Sequence, residues 1–465
     1  MKDFATPFTM KRAVLFFAAL LLLAAPVFGQ SASIALSATS GPPTTKLSVS
    51  GSHFSANDGV DVYFDSTHLA NTTSSSTGSF KVSIQVPSSA KPGSHTITAV
   101  AQNSGGTAQK TFTVQTNWSQ FGFVASGGRY NPYENVLTPA KASTLGLDWT
   151  FTANAMIFSS PTVANGILYT GTGSGNDLNL YALNATTGAK IWSFLTGGIV
   201  NSAPAVANGV VYFSSTDNNV YAVNAATGAK IWSVPLSVSS PIAVANGVLY
   251  LGSFDHNLYA LNASNGATIW TFLTGNAISA TPTVANGVVY VGSRDFNVYA
   301  LNASTGAKIW NFTTGYQITY SSPAVLNGVV YVASADSNVY ALNASTGAKI
   351  WSFTAFGSIG DSPAVANGMV YVGSTDNNFY ALNATTGAEQ WTFNPGDGAC
   401  CFTPAAVADG VVYFGATDSK VYALNASTGG ELWSYTTGSV ISSAPVVANG
   451  QLFIGSDDKN VYAFH

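Results

Sequence analysis

Two adjacent thiols are the most reactive pair in the chain. Cys400 and Cys401 are its only cysteines, and they stand side by side in the run GDGACCFTP. In an oxidising compartment such neighbours can close a strained vicinal disulfide, meet a soft metal or roof a cofactor; they can also merely stiffen a loop or stay as inert thiols. They cannot staple distant segments, so a disulfide framework is excluded. Asp361 takes the place of the first Ser in a recurring Ser-Ser-Pro and is the best-placed acid, with Asp397 near it in sequence. Asn201 offers an amide and Arg294 a cation, while Phe296, Tyr316 and Tyr320 offer aromatic faces that would permit a small ligand or a carbohydrate. Each of these also reads as an ordinary solvated loop residue. The chain has no HExxH, P-loop or GxSxG run, and no close pair among His53, His68, His95, His256 and His465 has zinc spacing.

What must position these side chains is a repeat. Trp149, Trp192, Trp232, Trp270, Trp310, Trp351, Trp391 and Trp433 follow one another at intervals of 43, 40, 38, 40, 41, 40 and 42 residues. Between them recurs one phrase, SSPAVANGVVYVGS-x-D-x-NVYALNASTGAKIW, with small changes. It divides into four short strands: A (SPAV), B (GVVYVGS), C (NVYALN) and D (AKIWSF). A period near forty with four strands per unit predicts a β-propeller blade. The last unit stops at NVYAFH without a D strand, and the array opens with a lone D strand around Trp149. Pairing the two closes a ring of eight blades and removes both open sheet edges.

In such a blade the D-to-A and B-to-C connections emerge on one face and the A-to-B and C-to-D turns on the other. The ANG and NASTG turns hardly vary. Variation gathers on the first face, where Arg294, Phe296, Tyr316, Tyr320, Asp361, Asp397, Cys400 and Cys401 lie; this is the candidate binding face. Asp217, Asp255, Asp295, Asp336, Asp376, Asp418 and Asp457 recur at one turn position and read as turn formers, not as a calcium ring.

The stretches ALNATTGAKIW at 182–192 and ALNASTGAKIW at 341–351 resemble the tryptophan-docking motif of the pyrroloquinoline quinone (PQQ)-like propeller family, which includes the BamB-like proteins. The resemblance spans Trp149 to His465, and NWSQFGF…GGRYNPYENVL before it resembles the lead-in of exported members. It implies a structural role for the eight docking tryptophans. The family holds both enzymes and non-enzymes. Its PQQ-dependent alcohol dehydrogenases carry an adjacent Cys pair against the quinone, together with calcium held by a carboxylate and an Asn, an Asp base and a stacking Trp. On that pattern Cys400, Cys401 and Asp361 would face PQQ and calcium. No Trp is left for stacking, because the ninth, Trp118, precedes the propeller. The non-catalytic side of the family implies a scaffold that binds a protein or an envelope polymer and needs no cofactor, although the lipidation Cys of BamB-type lipoproteins is absent here. Upstream, PPTTKLSVSGSHFSANDGVDVYFD, GSFKVSIQVP and PGSHTITAVA resemble bacterial immunoglobulin-like domains of the IPT/TIG kind, which implies a spacer or adhesion module.

Composition agrees with an all-β chain. Charged residues are 8% of the 465, against roughly 25% in an average soluble protein. The formal charge of −4 argues against a nucleic-acid partner, and 46% hydrophobic residues argue against disorder. Lys2, Lys11 and Arg12 precede an apolar run from Ala13 to Phe28 and small residues around Gly29, the pattern of a secretory signal peptide. No later run is long enough to span a bilayer, so no stable membrane span is expected after signal cleavage. The expected order is a signal peptide over 1–29, an Ig-like β-sandwich over 31–115, a lead-in over 116–147 and an eight-bladed propeller over 148–465. The chain is expected to be exported: periplasmic, cell-surface or secreted.

Overall fold

The computed structural model describes residues 31–173, 177–238, 240–396, 399 and 401–465. The expected signal peptide, Asp397 and Cys400 therefore lie outside the described residues. The chain divides into two compact units. The smaller is built chiefly from Ser48–Ser83 and Ile97–Lys110, and the larger contains Thr111–His465.

The N-terminal strands form a three-stranded sheet in the order Ser33–Leu36, Lys46–Ser52, Phe80–Gln85. A five-stranded sheet runs Ser40–Gly41, Thr107–Val114, Gly93–Ala101, Gly59–Phe64, Thr67–Thr73. Alternation drives the folding: Val60, Val62 and Phe64 point inward and are buried, while their neighbours face solvent. Thr67–Thr73 (THLANTT) lacks that alternation, and the sequence pattern did not mark it as a strand. It sits at a sheet edge, where one-sided pairing tolerates polar side chains.

In the larger unit, eight sheets each carry four antiparallel strands in the repeat order A-B-C-D; seven have only these four, and one has a fifth strand. Seven are consecutive in the chain; the eighth joins Val446–Ala448, Gln451–Gly455 and Asn460–Phe464 to the early strand Leu147–Thr152. Leu147 pairs with Phe464 and Thr152 with Asn460, so the lone D strand completes the last blade. Each A strand touches the next, and Val446–Ala448 touches Thr162–Ala164, which closes the ring.

Local chemistry explains the repeated turns. Every A–B turn is Asn-Gly or Asp-Gly with both residues at positive φ, from Asn165 (52°) and Gly166 (75°) to Asn449 (55°) and Gly450 (75°). That is the backbone of the two-residue hairpin whose twist matches its strands. In the C–D turn the Asn343 carboxamide oxygen accepts the N–H groups of Ser345 and Thr346, both at 3.0 Å. Gly347 follows at φ 72°, and a Cβ there would lie 2.7 Å from the Trp310 ring of the preceding blade.

The tryptophans dock from blade to blade. Trp310 Nε1 donates to the Ala344 carbonyl of the next blade at 2.9 Å, and Trp149, Trp192, Trp232, Trp270, Trp351 and Trp391 make the equivalent bond at 3.0–3.1 Å. In blade 5, the Tyr331 hydroxyl on strand B donates to the same carbonyl, Ala384 O, as Trp351. Trp433 differs because the eighth blade has no C–D turn of its own; its ring packs edge-on against Phe464, with centroids 5.0 Å apart. The apolar clusters accordingly lie at the seams between adjacent blades, as with Tyr331, Trp351, Val365 and Val370. Truncating one such Trp to Ala forfeits about 3–5 kcal/mol.

Candidate functional site

A ring of blades leaves the inner edge of every A strand unpaired, and buried backbone donors need partners. The segment expected to be a lead-in supplies them. Residues 116–131 run round the inside of the ring and bond the blades in turn. Trp118 exchanges both backbone bonds with Val163 at 2.8 and 2.9 Å. Val206 N–H donates to Ser119 O at 2.7 Å, and Val244 N–H to the Gln120 carboxamide at 3.0 Å. Val284, Val325, Val365 and Val407 donate to Ala125, Ser126, Gly128 and Arg129 at 2.7–2.9 Å. The Asn131 amide donates to Val447 O at 2.9 Å, and Tyr130–Asn131 adds a parallel fifth strand to the seventh blade. The segment is therefore a plug. Gly127 has to be glycine: its φ is 76°, and a Cβ would lie 2.6 Å from Pro323 O.

Arg129 anchors the plug and is 1% exposed. Its guanidinium donates to Ala405 O at 2.7 Å and Pro445 O at 2.9 Å, as well as to Phe121 O. It lies over the rings of Phe121 and Trp118, at 4.6 and 5.4 Å. Burial lowers its pKa to about 9, and the charge of Asp361 opposes that shift. Burial pushes the Asp361 carboxyl up to about 8, against the pull of Arg129.

Asp361 lines a funnel of about 530 Å³ formed by the segments that enter the A strands. The plug residue Phe121 also lines it, with Phe158, Tyr320 and a series of hydroxyls. Two of these hydroxyls, on Ser160 and Ser322, bridge blades, as does that of Ser362 nearby. Ser322 Oγ accepts Thr281 N–H, Ser362 Oγ accepts Ser322 N–H, and Ser160 Oγ accepts Ala444 N–H, at 2.9–3.0 Å. Ser279 Oγ and Thr281 Oγ1 are buried and have no partner among the described residues.

The other expected site residues fall as follows. Phe296 and Tyr316 stack, with centroids 5.4 Å apart at 23°, and the Arg294 guanidinium lies 5.9 Å from the Tyr320 ring. Arg294 Nε is buried without a partner among the described residues. Of this group Tyr320 lines the funnel, as does Asn201. Cys401 is exposed in the segment before the seventh A strand and does not line the funnel; its carbonyl accepts Thr417 N–H at 3.1 Å.

The repeated aspartates are more than turn formers. In every blade the carboxylate accepts the hydroxyl of the Tyr four residues on: Asp177–Tyr181, Asp217–Tyr221, Asp255–Tyr259, Asp295–Tyr299, Asp336–Tyr340, Asp376–Tyr380, Asp418–Tyr422 and Asp458–Tyr462. Most also accept an N–H from the D–A segment of the preceding blade, as Asp217 does from Gly197 at 2.8 Å. Two corrections to the sequence reading follow. The last blade uses Asp458, not Asp457, because Asp458 stands two residues before Asn460 as the motif requires; Asp457 accepts the Ser442 hydroxyl instead. The first blade uses Asp177, which that reading missed. Burial opposes ionisation of Asp217, but the bonds from Tyr221, Gly197 and Asn219 hold its carboxyl below the usual range. These carboxylates are saturated by the protein.

The described residues at the funnel do not fit a calcium-held quinone. Asp361 is the one carboxylate among its described lining residues, and no group of three His, Cys, Asp or Glu that could hold a metal comes together among the described residues. Calcium takes roughly 6–8 oxygens, carboxylates among them. Trp118 is fully buried in the plug, and the other tryptophans occupy the blade seams.

A closed ring of four-stranded sheets, sealed by docked tryptophans and filled on its axis by its own N-terminal flank, defines a tryptophan-docking β-propeller. Residues 93–238, 216–323 and 294–464 match the family described as outer membrane protein assembly factor BamB, and the chain belongs to that family of PQQ-type repeats. Residues 34–114 match the IPT/TIG domain. The fold is similar to that of BamB from Moraxella catarrhalis (19% identity, TM-score 0.61, covering 69% of this chain and 99% of that one). It is also similar to the quinohemoprotein alcohol dehydrogenase of Comamonas testosteroni (15% identity, TM-score 0.65, 75% and 80%) and to the computationally designed Ika8 protein (16% identity, TM-score 0.61, 68% and 97%). A comparison with curated proteins found no match. An assembly factor, an oxidoreductase and a designed protein share this architecture, so function has to be argued from the site. Among the described residues no helix is long and apolar enough to cross a membrane.

Proposed function

We propose that the chain is an exported, non-catalytic scaffold of the cell envelope that binds a protein or an envelope polymer on the face formed by its D–A and B–C segments. The observation that carries this reading is the exposed aromatic set on that face. Phe356 is 97% exposed, Tyr320 62%, Phe254 56% and Tyr316 50%. Exposed aromatics gathered on one face are a mark of an interaction surface. The opposite face repeats Asn-Gly and Asn-Ala-Ser-Thr-Gly turns with little variation. Kinship with a family described as an outer membrane assembly factor agrees with an envelope role. The alternative, a PQQ- and calcium-dependent dehydrogenase of alcohols or sugars with Cys400 and Cys401 at the quinone, has the weaker support because of the donor set at the funnel.

The test compares the purified chain from Gln30 onward with a Phe254→Ser, Tyr316→Ser, Phe356→Ser triple variant for co-sedimentation with isolated envelope fragments. Binding by the native chain that the triple variant loses, at unchanged Tm, supports the reading. Equal sedimentation of both, or saturable quenching of tryptophan fluorescence by PQQ with calcium, sinks it.

A further inference from the structure

The exposed large apolar side chains of the propeller differ in kind from place to place. Among the described residues, those on the D strands are aliphatic, as with Ile231, Ile269 and Ile309. Those in the connections of blades 3 to 5 are all aromatic. Phe254 and Phe296 lie in B–C connections, Tyr316 and Tyr320 between blades 4 and 5, and Phe356 between blades 5 and 6. No other D–A or B–C connection carries an exposed ring among the described residues.

These rings are carried on bonded backbone. Thr314 donates its N–H to Phe296 O at 2.8 Å and its hydroxyl to Tyr316 O at 2.6 Å, which fixes the stacked pair. Phe356 N–H donates to the Asp376 carboxylate of the next blade at 2.9 Å. A surface ordered before binding loses little entropy when it meets a ligand.

Charge contributes little to the sector. The Asp255, Asp295 and Asp336 carboxylates accept tyrosine hydroxyls, and Asp361 lies in the funnel. Arg294 is the one Lys or Arg in these connections, and its guanidinium lies over Tyr320. Apart from His256, the remaining polar side chains are neutral, and Asn276 and Gln317 offer amides. A protein partner is served equally by aliphatic contacts, which these connections do not expose. A flat ring has a separate use, because its negative face attracts the C–H groups on the flat side of a pyranose. The rings also spread over three adjacent blades. Packed sheets lie about 10 Å apart, so the sector spans on the order of 20 Å, more than one sugar ring covers.

We infer that the aromatic sector of blades 3 to 5 binds an extended β-1,4-linked polysaccharide of gluco-configured residues, stacked on Phe254, Tyr316 and Phe356. Such chains are flat ribbons whose ring substituents are equatorial, which leaves C–H faces free to stack. The inference rests on the scaffold reading and chooses the polymer over the protein.

The experiment is isothermal titration of the chain from Gln30 onward with cellohexaose, chitohexaose and methyl β-glucopyranoside. The variants are Phe356→Ala and Phe254→Ala with Tyr316→Ala, which change exposed side chains only; unchanged Tm confirms their fold. The expected result is saturable binding of at least one hexasaccharide at millimolar concentration or below, with the glucoside about tenfold weaker or more. Each variant should weaken the hexasaccharide about threefold or more, and about 0.5 M salt should leave its affinity unchanged. No saturable binding of either hexasaccharide, a glucoside bound as tightly, affinity unchanged in the variants, or binding lost in salt overturns the proposal. Envelope co-sedimentation that needs the three aromatics, with neither hexasaccharide bound, rejects this inference and leaves the scaffold reading standing with a protein partner. Hexasaccharide binding without envelope co-sedimentation does the reverse.

Discussion

The propeller solves the same problem, an unpaired edge or face between blades, in two ways. At the outer seams one device is repeated: an indole from each of seven D strands donates to an alanine carbonyl of the next blade, beneath a glycine that has no Cβ to obstruct it. At the inner seam a single segment, 116–131, visits every blade and meets the eighth at both its ends, through Thr116 and Asn131. The outer device is modular, so each copy contributes a local share of stability. The inner one is shared, and Arg129 alone bonds segments that enter the seventh and eighth A strands. A repeat protein can therefore carry its least repetitive chemistry on its axis, where all blades meet.

The largest effect is expected at the shared device. Arg129→Met removes a buried cation and strands the Ala405 and Pro445 carbonyls, at a cost on the order of 3–5 kcal/mol. Urea unfolding checks it, and a loss under about 1 kcal/mol would show that the blades hold without the plug.

A smaller effect separates steric from conformational causes at the outer seam. Gly347 and Gly166 share a left-handed backbone, with φ of 72° and 75°, but a Cβ meets the Trp310 ring at Gly347 and nothing within 4 Å at Gly166. Gly166→Ala is expected to cost about 1 kcal/mol from strain alone, and Gly347→Ala about 2–3 kcal/mol. Equal losses in thermal melts would mean that docking does not depend on that close approach.

The third effect is electrostatic and depends on pH. Asp361 titrates near pH 8 in the folded chain, above its usual value of 3.8. The folded state thus binds more protons than the unfolded state between about pH 4 and 8, and stability falls as pH rises through that window. Asp361→Asn should match the native chain near pH 4 and exceed it towards pH 8, measured by denaturant midpoints. A variant less stable at pH 8 would mean that the attraction of Arg129 outweighs the burial of Asp361.

Much of the fold was legible in the amino-acid order. The tryptophan spacing marked the blades, the missing final D strand marked the closure, and Asn-Gly pairs marked the hairpins. Two details escaped. Asp177 stands in GSGNDLNLY, where an altered B–C loop hides the motif, although the Asp–Tyr spacing of four was there to be counted. The doubled Asp457–Asp458 was resolved to the wrong member, although the spacing to Asn460 distinguishes them.

The candidate site was legible only in part. Asp361, Tyr320 and Asn201 stood out as departures from the repeat, and the fold brings all three to the funnel. Arg129 and Phe121 gave no such signal, because they belong to a stretch with no repeat to depart from. Thr281 stood where other blades carry Ser322 and Ser362 directly before a proline, and only its missing partner among the described residues set it apart.

The sequence by itself determined the blade, since turns, caps and strand alternation act over a few residues and leave their mark at short spacing. The docking of each Trp is nearly as local, because one blade always meets the next about forty residues away. Only the tertiary structure decided the plug, the buried Arg129 and the funnel above it. Those contacts join residues 276 and 316 positions apart, and no local spacing encodes which backbone carbonyl a guanidinium will meet once the ring has closed.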